Sequence, residues 1–319
     1  MIAYRPVNLE NDLPALARLL SITEREPVTV EQASQWWEPT EGGLRLTTLA
    51  TAGEGDIVGM ADVERRVWER PGLFRLDFVV DPGWRGQGIG RRLFSDALSV
   101  AQARGALEIE TSVRDNDPAS MAFAERRGYK VARHTFESSL DLTTFDETPF
   151  VAALDCASAQ GIRFFSLADM PEVTEAEERK LYEINRAAAL DNPGNEGAFP
   201  PFEQFCKYVF QAAWYRADGQ LLAADGDRWV GLAAVAFYPD QDYAYNAFTG
   251  VARDYRGRGL AQALKLLAIR RAITDGAHYI RTDNDSRNGP MLAVNRKLGY
   301  QPQPGTYTLI RTVATDNPH

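Results

Sequence analysis

At 319 residues the chain is about twice the ~150 typical of one domain, so two hydrophobic cores are expected. Hydrophobic residues at 45% and charged residues at 25% exclude a fibrous, disordered or disulfide-stapled chain. The balance of 35 basic against 44 acidic residues, net charge −9, argues against a nucleic acid or an anionic membrane as partner, and an anionic ligand would need a local basic site.

In chain order, residues 2–7 read as a strand, 12–20 as a helix acidic at its start, and 30–37 as a second helix. Residues 45–50 and 57–66 form a strand pair across the turn-forming stretch 51–56, and 74–80 is a further strand. A glycine-rich turn follows, then a helix to about Arg104, a buried strand over 107–113, a helix over 118–127, and closing strands over 129–142. Residues 148–160 contain Pro149 and then small and apolar residues, and are expected to be a connector with at most a short strand. The same order restarts near Arg163, with a longer Pro/Gly-rich connection over 191–201 that reads as a surface excursion or a substrate-facing loop. The expected division is a first lobe over 1–147, the connector over 148–160, and a second lobe over 161–319.

No apolar stretch nears the ~20 residues that span a bilayer, and residues 1–9 lack a secretory pattern, so a cytoplasmic protein is expected. Cys156 and Cys206 have no metal-ligand spacing and read as packing thiols, and no metal site is expected. His134, His278 and His319 read as surface or packing residues. Trp84, Trp214 and Trp229 read as core or lobe contacts, as do Trp36 and Trp37 unless those two roof an acceptor pocket.

Self-comparison shows a duplication. The run from Val80 through Arg85-Gly86-Gln87-Gly88-Ile89-Gly90 matches the run from Val251 through Arg256-Gly257-Arg258-Gly259-Leu260-Ala261 at an offset of 171. The offset holds for Gly105 against Gly276 and for Gly128-Tyr129 against Gly299-Tyr300. Upstream it slips to 172, where Val58-Gly59 matches Val230-Gly231 and Glu31-Gln32 matches Glu203-Gln204.

Each glycine turn leaves a β-branched strand and enters an amphipathic helix, which in the first copy buries Leu93, Phe94, Ala97 and Leu98. The first N–H groups of such a helix lack intrahelical partners and sit at the positive end of its dipole, which makes a phosphate site. Glycine is expected there so that no Cβ keeps a pyrophosphate from the main chain. Neither copy ends in Gly-Lys-Ser/Thr, and neither has the Gly-x-Gly-x-x-Gly spacing of a dinucleotide fold.

The pattern Arg-x-x-Gly-x-Gly/Ala, carried by Arg85, Gly88 and Gly90 and by Arg256, Gly259 and Ala261, resembles motif A of the GNAT acetyltransferase superfamily. The next region of that family, a strand and an Asn-containing helix ending in Gly-Phe/Tyr, is matched by Asn116 to Tyr129 and by Asn284 to Tyr300. The second half, with Thr249-Gly250-Val251, Leu264-Lys265, Thr282-Asp283-Asn284, Asn288, Met291-Leu292 and Asn295 to Tyr300, is similar to the carboxy-terminal lobe of tandem members of the mycothiol synthase type. The resemblance implies an α/β (α+β) fold of two tandem GNAT lobes, each a mixed, mostly antiparallel twisted sheet with helices on both faces. It also implies acetyl-CoA as cofactor, held in each lobe where two strands splay. The cofactor residues would be Val79, Val80, Arg85, Gly86, Gln87, Gly88, Ile89, Gly90 and Asn116 in the first lobe. In the second they would be Val251, Arg256, Gly257, Arg258, Gly259, Leu260, Ala261, Asn284 and Asn288.

Acetyl transfer to an amine needs a deprotonated nucleophile, donors for the developing oxyanion and a stabilised leaving thiolate. Direct attack with both substrates bound, the usual route in this superfamily, needs no cysteine nucleophile. Asp77, Glu108 and Glu110 are first-lobe carboxylates near the splay, while Asp283 and Asp285 flank Asn284 in the second lobe and Tyr245 stands near the family's base position. Many relatives place a tyrosine acid four residues before the last Gly-Phe/Tyr, where this chain has Ala124 and Asn295. Asn295, Asp283 and Tyr245 are therefore the second-lobe catalytic candidates and Asp77 the first-lobe one, with the second lobe expected to do the chemistry. A small polar primary amine is the expected acceptor and the protein a monomer or homodimer; a protein or peptide amine and a silent acyl-CoA-binding module are the alternatives.

Overall fold

The computed structural model describes residues 1–24, 27–37, 42–53, 55–193, 195, 197, 199–238 and 241–313. Glu54 of the expected turn, Gly194, Glu196 and Ala198 of the long connection, and His319 lie outside the described residues. The chain divides into two compact units, one of residues 1–132 with 306–319 and a second of residues 133–305.

The first unit begins with strand β1 (Ile2–Pro6) and helix α1 (Leu9–Leu20), whose Asn8 Oδ1 accepts from the Glu10 N–H at the N-terminus. The acidic residue Asp12 is buried and ties the helix to β1 through two bonds from Arg5, at 2.6 and 2.8 Å. Helix α2 (Val30–Trp36) starts in a capping box of Thr29 and Gln32, which satisfies two otherwise orphaned donors. Strands β2 (Leu44–Ala52), β3 (Asp56–Arg65) and β4 (Leu73–Val80), helix α3 (Ile89–Gln102), strand β5 (Glu108–Arg114) and helix α4 (Pro118–Glu125) follow.

Strand β6 (Lys130–Asp141) leads to a single 3-10 turn (Thr148–Phe150) and helix α5 (Ala152–Ala159). The expected connector is thus a helix, as its alanines favour; Ala157 is fully buried in the second unit's core. Then come β7 (Ile162–Ser166), α6 (Glu175–Leu190), α7 (Phe202–Tyr208), β8 (Gln220–Asp225), β9 (Arg228–Phe237), β10 (Tyr243–Val251), α8 (Leu260–Thr274), β11 (Tyr279–Asp285), α9 (Gly289–Leu298) and β12 (Gln301–Thr312). Among the described residues, no helix is long and apolar enough to cross a membrane.

The sheet of the first unit has the order β1-β2-β3-β4-β5-β12, and that of the second β7-β8-β9-β10-β11-β6. Pairing is antiparallel except for β4 with β5 and β10 with β11. The order corrects one expectation. The strand over 129–142, expected to close the first lobe, pairs with β11 from Tyr279↔Asp141 to Asp285↔Thr135. The first sheet is closed instead by β12, paired with β5 from Thr306↔Arg114 to Thr312↔Glu108. Each unit therefore takes its last strand from the other half of the chain, and the contiguous 1–147 and 161–319 division does not describe the packing. Two strands of one duplicated type present the same pleat to either partner, so local patterning does not choose between them.

Helices cover both faces of each sheet. In the first unit, Leu93, Phe94 and Ala97 of α3 pack on Phe74 and Leu76, while Leu16 and Leu19 of α1 and Trp37 pack with Leu49, Met60 and Val79. In the second, Leu260, Leu264, Ala268 and Ile269 of α8 join Val230, Val235 and Ala244, while Leu181 and Ile184 of α6 meet Leu222 and Leu232. Burial on this scale, at about 25 cal/mol per Å² of apolar surface, is what holds the layers together.

Candidate active site

Both glycine turns have the same geometry. Gly86 and Gly88 have φ of 78° and 84°, and Gly257 and Gly259 have 76° and 79°. Helices α3 and α8 begin directly after Gly88 and Gly259, and no side chain caps either one. The arginine that opens each turn folds back, Arg85 Nε donating to Val80 O and Arg256 Nε to Val251 O, both at 3.1 Å. This brace fixes the strand-to-helix corner and leaves the first-turn N–H groups facing outwards, an arrangement that fits a pyrophosphate in either unit.

The reason for glycine differs from the sequence expectation. A Cβ added at any of these four positions would meet no protein atom within 4 Å, so the protein itself demands glycine through positive φ. The same open space is what a ligand would occupy. At Gly90, with an ordinary φ, an added Cβ would sit 3.5 Å from Val80 Cγ2, an ordinary contact, and Ala261 fills the equivalent place. Several expected lining side chains are core residues: Ile89, Leu260, Val79 and Val251 are buried. They have only main-chain groups to offer a ligand. Gln87 is exposed, and the Arg258 guanidinium stacks 4.6 Å over the Tyr255 ring.

The strands before the turns do splay. The β4 and β5 ladder ends at Arg75↔Glu110 although β4 continues to Val80, and the β10 and β11 ladder ends at Tyr245↔Arg281 although β10 continues to Val251. Beyond those points the facing edges have no strand partner. The two crotches differ, because β10 carries a bulge between Asn246 and Phe248 while β4 runs in unbroken register with β3. The bulge adds a residue to β10, and the loop before β4 is two residues longer than the one before β10; together they produce the one-residue slip in the repeat.

At the mouth of the second splay two predicted residues meet. The Tyr245 hydroxyl is hydrogen-bonded with Asp283, and burial together with the Asp283 charge pushes its pKa well above the usual phenol range. Tyr245 is thereby a proton donor and not the base expected from its position. Asp283 is exposed. Asp285 turns away: buried, yet held below the usual carboxylate range by hydrogen bonds from Arg287 and Arg133, it ties down the strand end.

Asn295, read from sequence as the donor to the thiolate, is 2% exposed and gives Nδ2 to Asn284 Oδ1 at 2.5 Å. Asn284 in turn donates to Ser138 Oγ at 2.8 Å and to the carbonyls of Phe136 and Thr282 at 3.2 Å. Both asparagines form a buried stitch between α9, β11 and β6. Asn288 caps α9, accepting from the Met291 N–H at 3.3 Å, and its counterpart in the first unit is Asp117, which caps α4, and not the exposed Asn116.

In the first unit Asp77 faces the opening but is ringed by protein on its other sides. Burial, and then the Asp62 carboxylate directly across the β3 and β4 ladder, push its pKa up to about 6. Asp62 itself is buried and accepts from Arg45 Nε at 2.8 Å and Thr47 Oγ1 at 2.6 Å, with Trp37 Nε1 donating to Thr47 in turn. Trp36 is exposed and Cys156, expected to pack, is exposed as well. Sequence reading missed Asp62, and it also missed Lys265 and Asn246, buried polar residues under the second crotch. The available signal was a lysine on the helix face shared with Ala261, Ala268 and Ala272.

Among the described residues, no group of His, Cys, Asp or Glu is arranged to hold a metal ion. Around the second glycine turn, Asp191 at the end of α6 binds Arg253 at 2.5 Å and Arg256 at 2.7 Å. In the first, Arg18 pairs with Asp81 at 2.6 Å and Arg85 is exposed.

The family model described as the acetyltransferase (GNAT) family matches residues 13–129 and again residues 180–300. The mycothiol acetyltransferase of Corynebacterium efficiens is 28% identical over 266 residues, 82% of this chain and 79% of that protein. The one from Corynebacterium glutamicum (strain ATCC 13032) is 25% identical over 298 residues, 92% of both chains. Among solved structures, a GCN5-related N-acetyltransferase from Sphaerobacter thermophilus has a TM-score of 0.74 at 21% identity, over 98% of this chain and 96% of its own. A tandem GNAT protein from the clavulanic acid biosynthesis pathway has a TM-score of 0.72 at 18% identity, over 99% and 100%. These two likenesses establish the fold.

Proposed function

The chain belongs to the acetyltransferase (GNAT) family, and from that premise we propose that its second unit transfers an acetyl group to the primary amine of a small polar molecule, with both substrates bound together. The observation that carries this reading is the Tyr245–Asp283 pair at the mouth of a bulged splay. The uncapped α8 N-terminus stands at the far end of the same strand. The relatives named for mycothiol support a small-molecule acceptor. Two free cysteines fit a reducing cytoplasm.

Acetyl-CoA, when bound, supplies the acetyl thioester and a thiol leaving group of pKa ~8.5. The residues of the chain do the rest. Main-chain N–H groups from Gly257 to Ala261, flanked by Arg256 and Arg258, hold the pyrophosphate, and the free edge of β10 up to Val251 holds the pantetheine arm. Asp283 receives the amine proton, and Tyr245, kept protonated, orients that carboxylate and the incoming amine. Asn295 and Asn284 fix the end of β11 and hence the position of Asp283. A thiol of that pKa leaves without a dedicated acid, which accounts for a chain with Ala124 and Asn295 where relatives carry tyrosine.

One observation favours a second reading, in which the first unit is active: the Asp77 carboxylate, at about 6, lies in its own splay. Thiol release from acetyl-CoA over a panel of amines and peptides, for wild type and Asp283→Asn, tests the proposal. We expect release with small primary amines and a loss of about 10²-fold or more in the variant. Release with peptides alone, release unaffected by Asp283→Asn, or tight binding without release would each overturn it.

A further inference from the structure

Beneath the second crotch lies a polar group that the reaction as described does not use. Lys265 of α8 is 1% exposed, its Nζ donates to Asn246 Oδ1 at 2.8 Å, and it lies 5.0 Å from the centre of the Tyr300 ring. Burying an ammonium costs several kcal/mol unless the surroundings compensate, and burial alone pushes the pKa of Lys265 down to about 7. No carboxylate contributes to that shift. The Tyr300 hydroxyl is buried with no hydrogen-bond partner.

What Lys265 holds is more informative than Lys265 itself. Asn246 Nδ2 donates to Phe248 O at 2.8 Å and to Ala234 O at 3.0 Å, spanning the bulge and occupying carbonyls on both strands. Asn246 Oδ1 also accepts from Thr249 Oγ1 at 3.0 Å, and its main-chain oxygen accepts from Thr282 Oγ1 at 2.9 Å, just beyond the last β10–β11 ladder pair. One asparagine thus sets both the bulge and the start of the splay, and Lys265 fixes that asparagine.

The first unit is an internal control. By ladder register Leu76, opposite Val63, occupies the place of Asn246, opposite Val235, and the 171-residue offset puts Phe94 at Lys265 and Tyr129 at Tyr300. There the plug is apolar and the strand has no bulge. The fold therefore needs neither polar group for packing.

We propose that Lys265 is a positioning residue of the second unit: through Asn246 it holds the β10 bulge in the geometry that aims main-chain N–H groups around Ala247 at the carbonyl of the reacting acetyl group. A bulge re-aims main-chain groups that a regular ladder would consume, and oriented N–H donors are what a developing oxyanion needs. The inference rests on the second unit being the catalytic one.

The test is a cycle of Lys265→Met, Asn246→Leu and the two combined, with kcat, KM and acetyl-CoA Kd measured on folded protein. Each single change is expected to lower kcat by about 10²-fold, as a misplaced oxyanion donor does. The Kd for acetyl-CoA should stay within about twofold, and the combined change should cost no more than either alone. A purely structural lysine would instead lower the melting temperature and leave kcat of the folded enzyme unchanged, which would overturn the proposal. If Lys265→Met does not fold, Asn246→Leu with Lys265→Phe reproduces the pair that already packs in the first unit; a folded form with kcat within about twofold of wild type is equally fatal. Asp283→Asn separates the two ideas. Activity lost in Asp283→Asn and kept in Lys265→Met sinks only the positioning role, whereas activity kept in Asp283→Asn sinks the catalytic assignment beneath it.

Discussion

The two units share a strand order, a splay and a braced glycine turn, yet differ at three places around the crotch. The first has Leu76 and Phe94 beneath a regular strand, with Asp77 facing the opening. The second has Asn246 and Lys265 beneath a bulge, and the register puts Phe248 where the first has Asp77. Arg85 is exposed, whereas Arg256 is held by Asp191. Duplication preserved what binds a pyrophosphate, which is a main-chain device indifferent to most side chains, and let what surrounds the reacting centre diverge. Binding and chemistry are separable in such a fold.

That contrast can be broken from several sides. The largest effect should come from the donor in the second splay: Tyr245→Phe removes the hydroxyl bonded to Asp283 and should lower kcat about tenfold or more. Asp77→Asn should leave it within about twofold. Equal losses would erase the distinction between the units.

Next in size is a stability effect. Lys265 titrates at about 7 when folded and near ~10.4 when unfolded, so the unfolded chain binds more protons between those values and stability rises with pH across that window. Chemical denaturation should show wild type gaining on Lys265→Met by a few kcal/mol from pH 7 to 10, with Asn246, Tyr300 and Thr249 the groups around the ammonium. A flat difference would mean that the amine is already neutral or solvated.

Asp77 should show the opposite sign on a smaller scale. Its folded pKa of about 6 lies above the ordinary 3.8, so the stability it contributes is present below about pH 4 and lost as pH rises through 6. Relative to Asp77→Asn, wild type should weaken across that range. The smallest effect is expected at Asp191→Ala, which frees Arg253 and Arg256 beside the second turn. The Kd for acetyl-CoA should tighten by up to about fivefold at low salt, with the gain fading as salt screens it.

The parts of this architecture that sequence reveals are those written in local patterns. The glycine turns, the flanking strands and the helices after them repeat at fixed spacing, and each follows from positive φ or from period. Even the slip from 171 to 172 was a visible trace of the bulge, although a longer loop before β4 disguised its sign. The exchange of β6 and β12 was not legible, because pairing partners distant in sequence leave no mark in either strand's alternation. The helix at 152–159 was misread for giving Pro149 more weight than the alanines after it. The site residues were half legible. Tyr245 and Asp283 do meet, but that the phenol would be locked protonated depends on burial across two strands. Asn295, Asn284, Lys265 and Asn246 are buried polar residues whose partners lie on other elements, and sequence gives type without partner.

The most direct measurement places a carboxylate at one anion site at a time. Aspartate tolerates the left-handed conformation of Gly88 and Gly259 better than most residues, so thiol release by Gly88→Asp and Gly259→Asp can be compared in otherwise intact protein. Turnover abolished by Gly259→Asp and retained by Gly88→Asp is the predicted result; the reverse pattern would move the chemistry to the first unit and contradict the account.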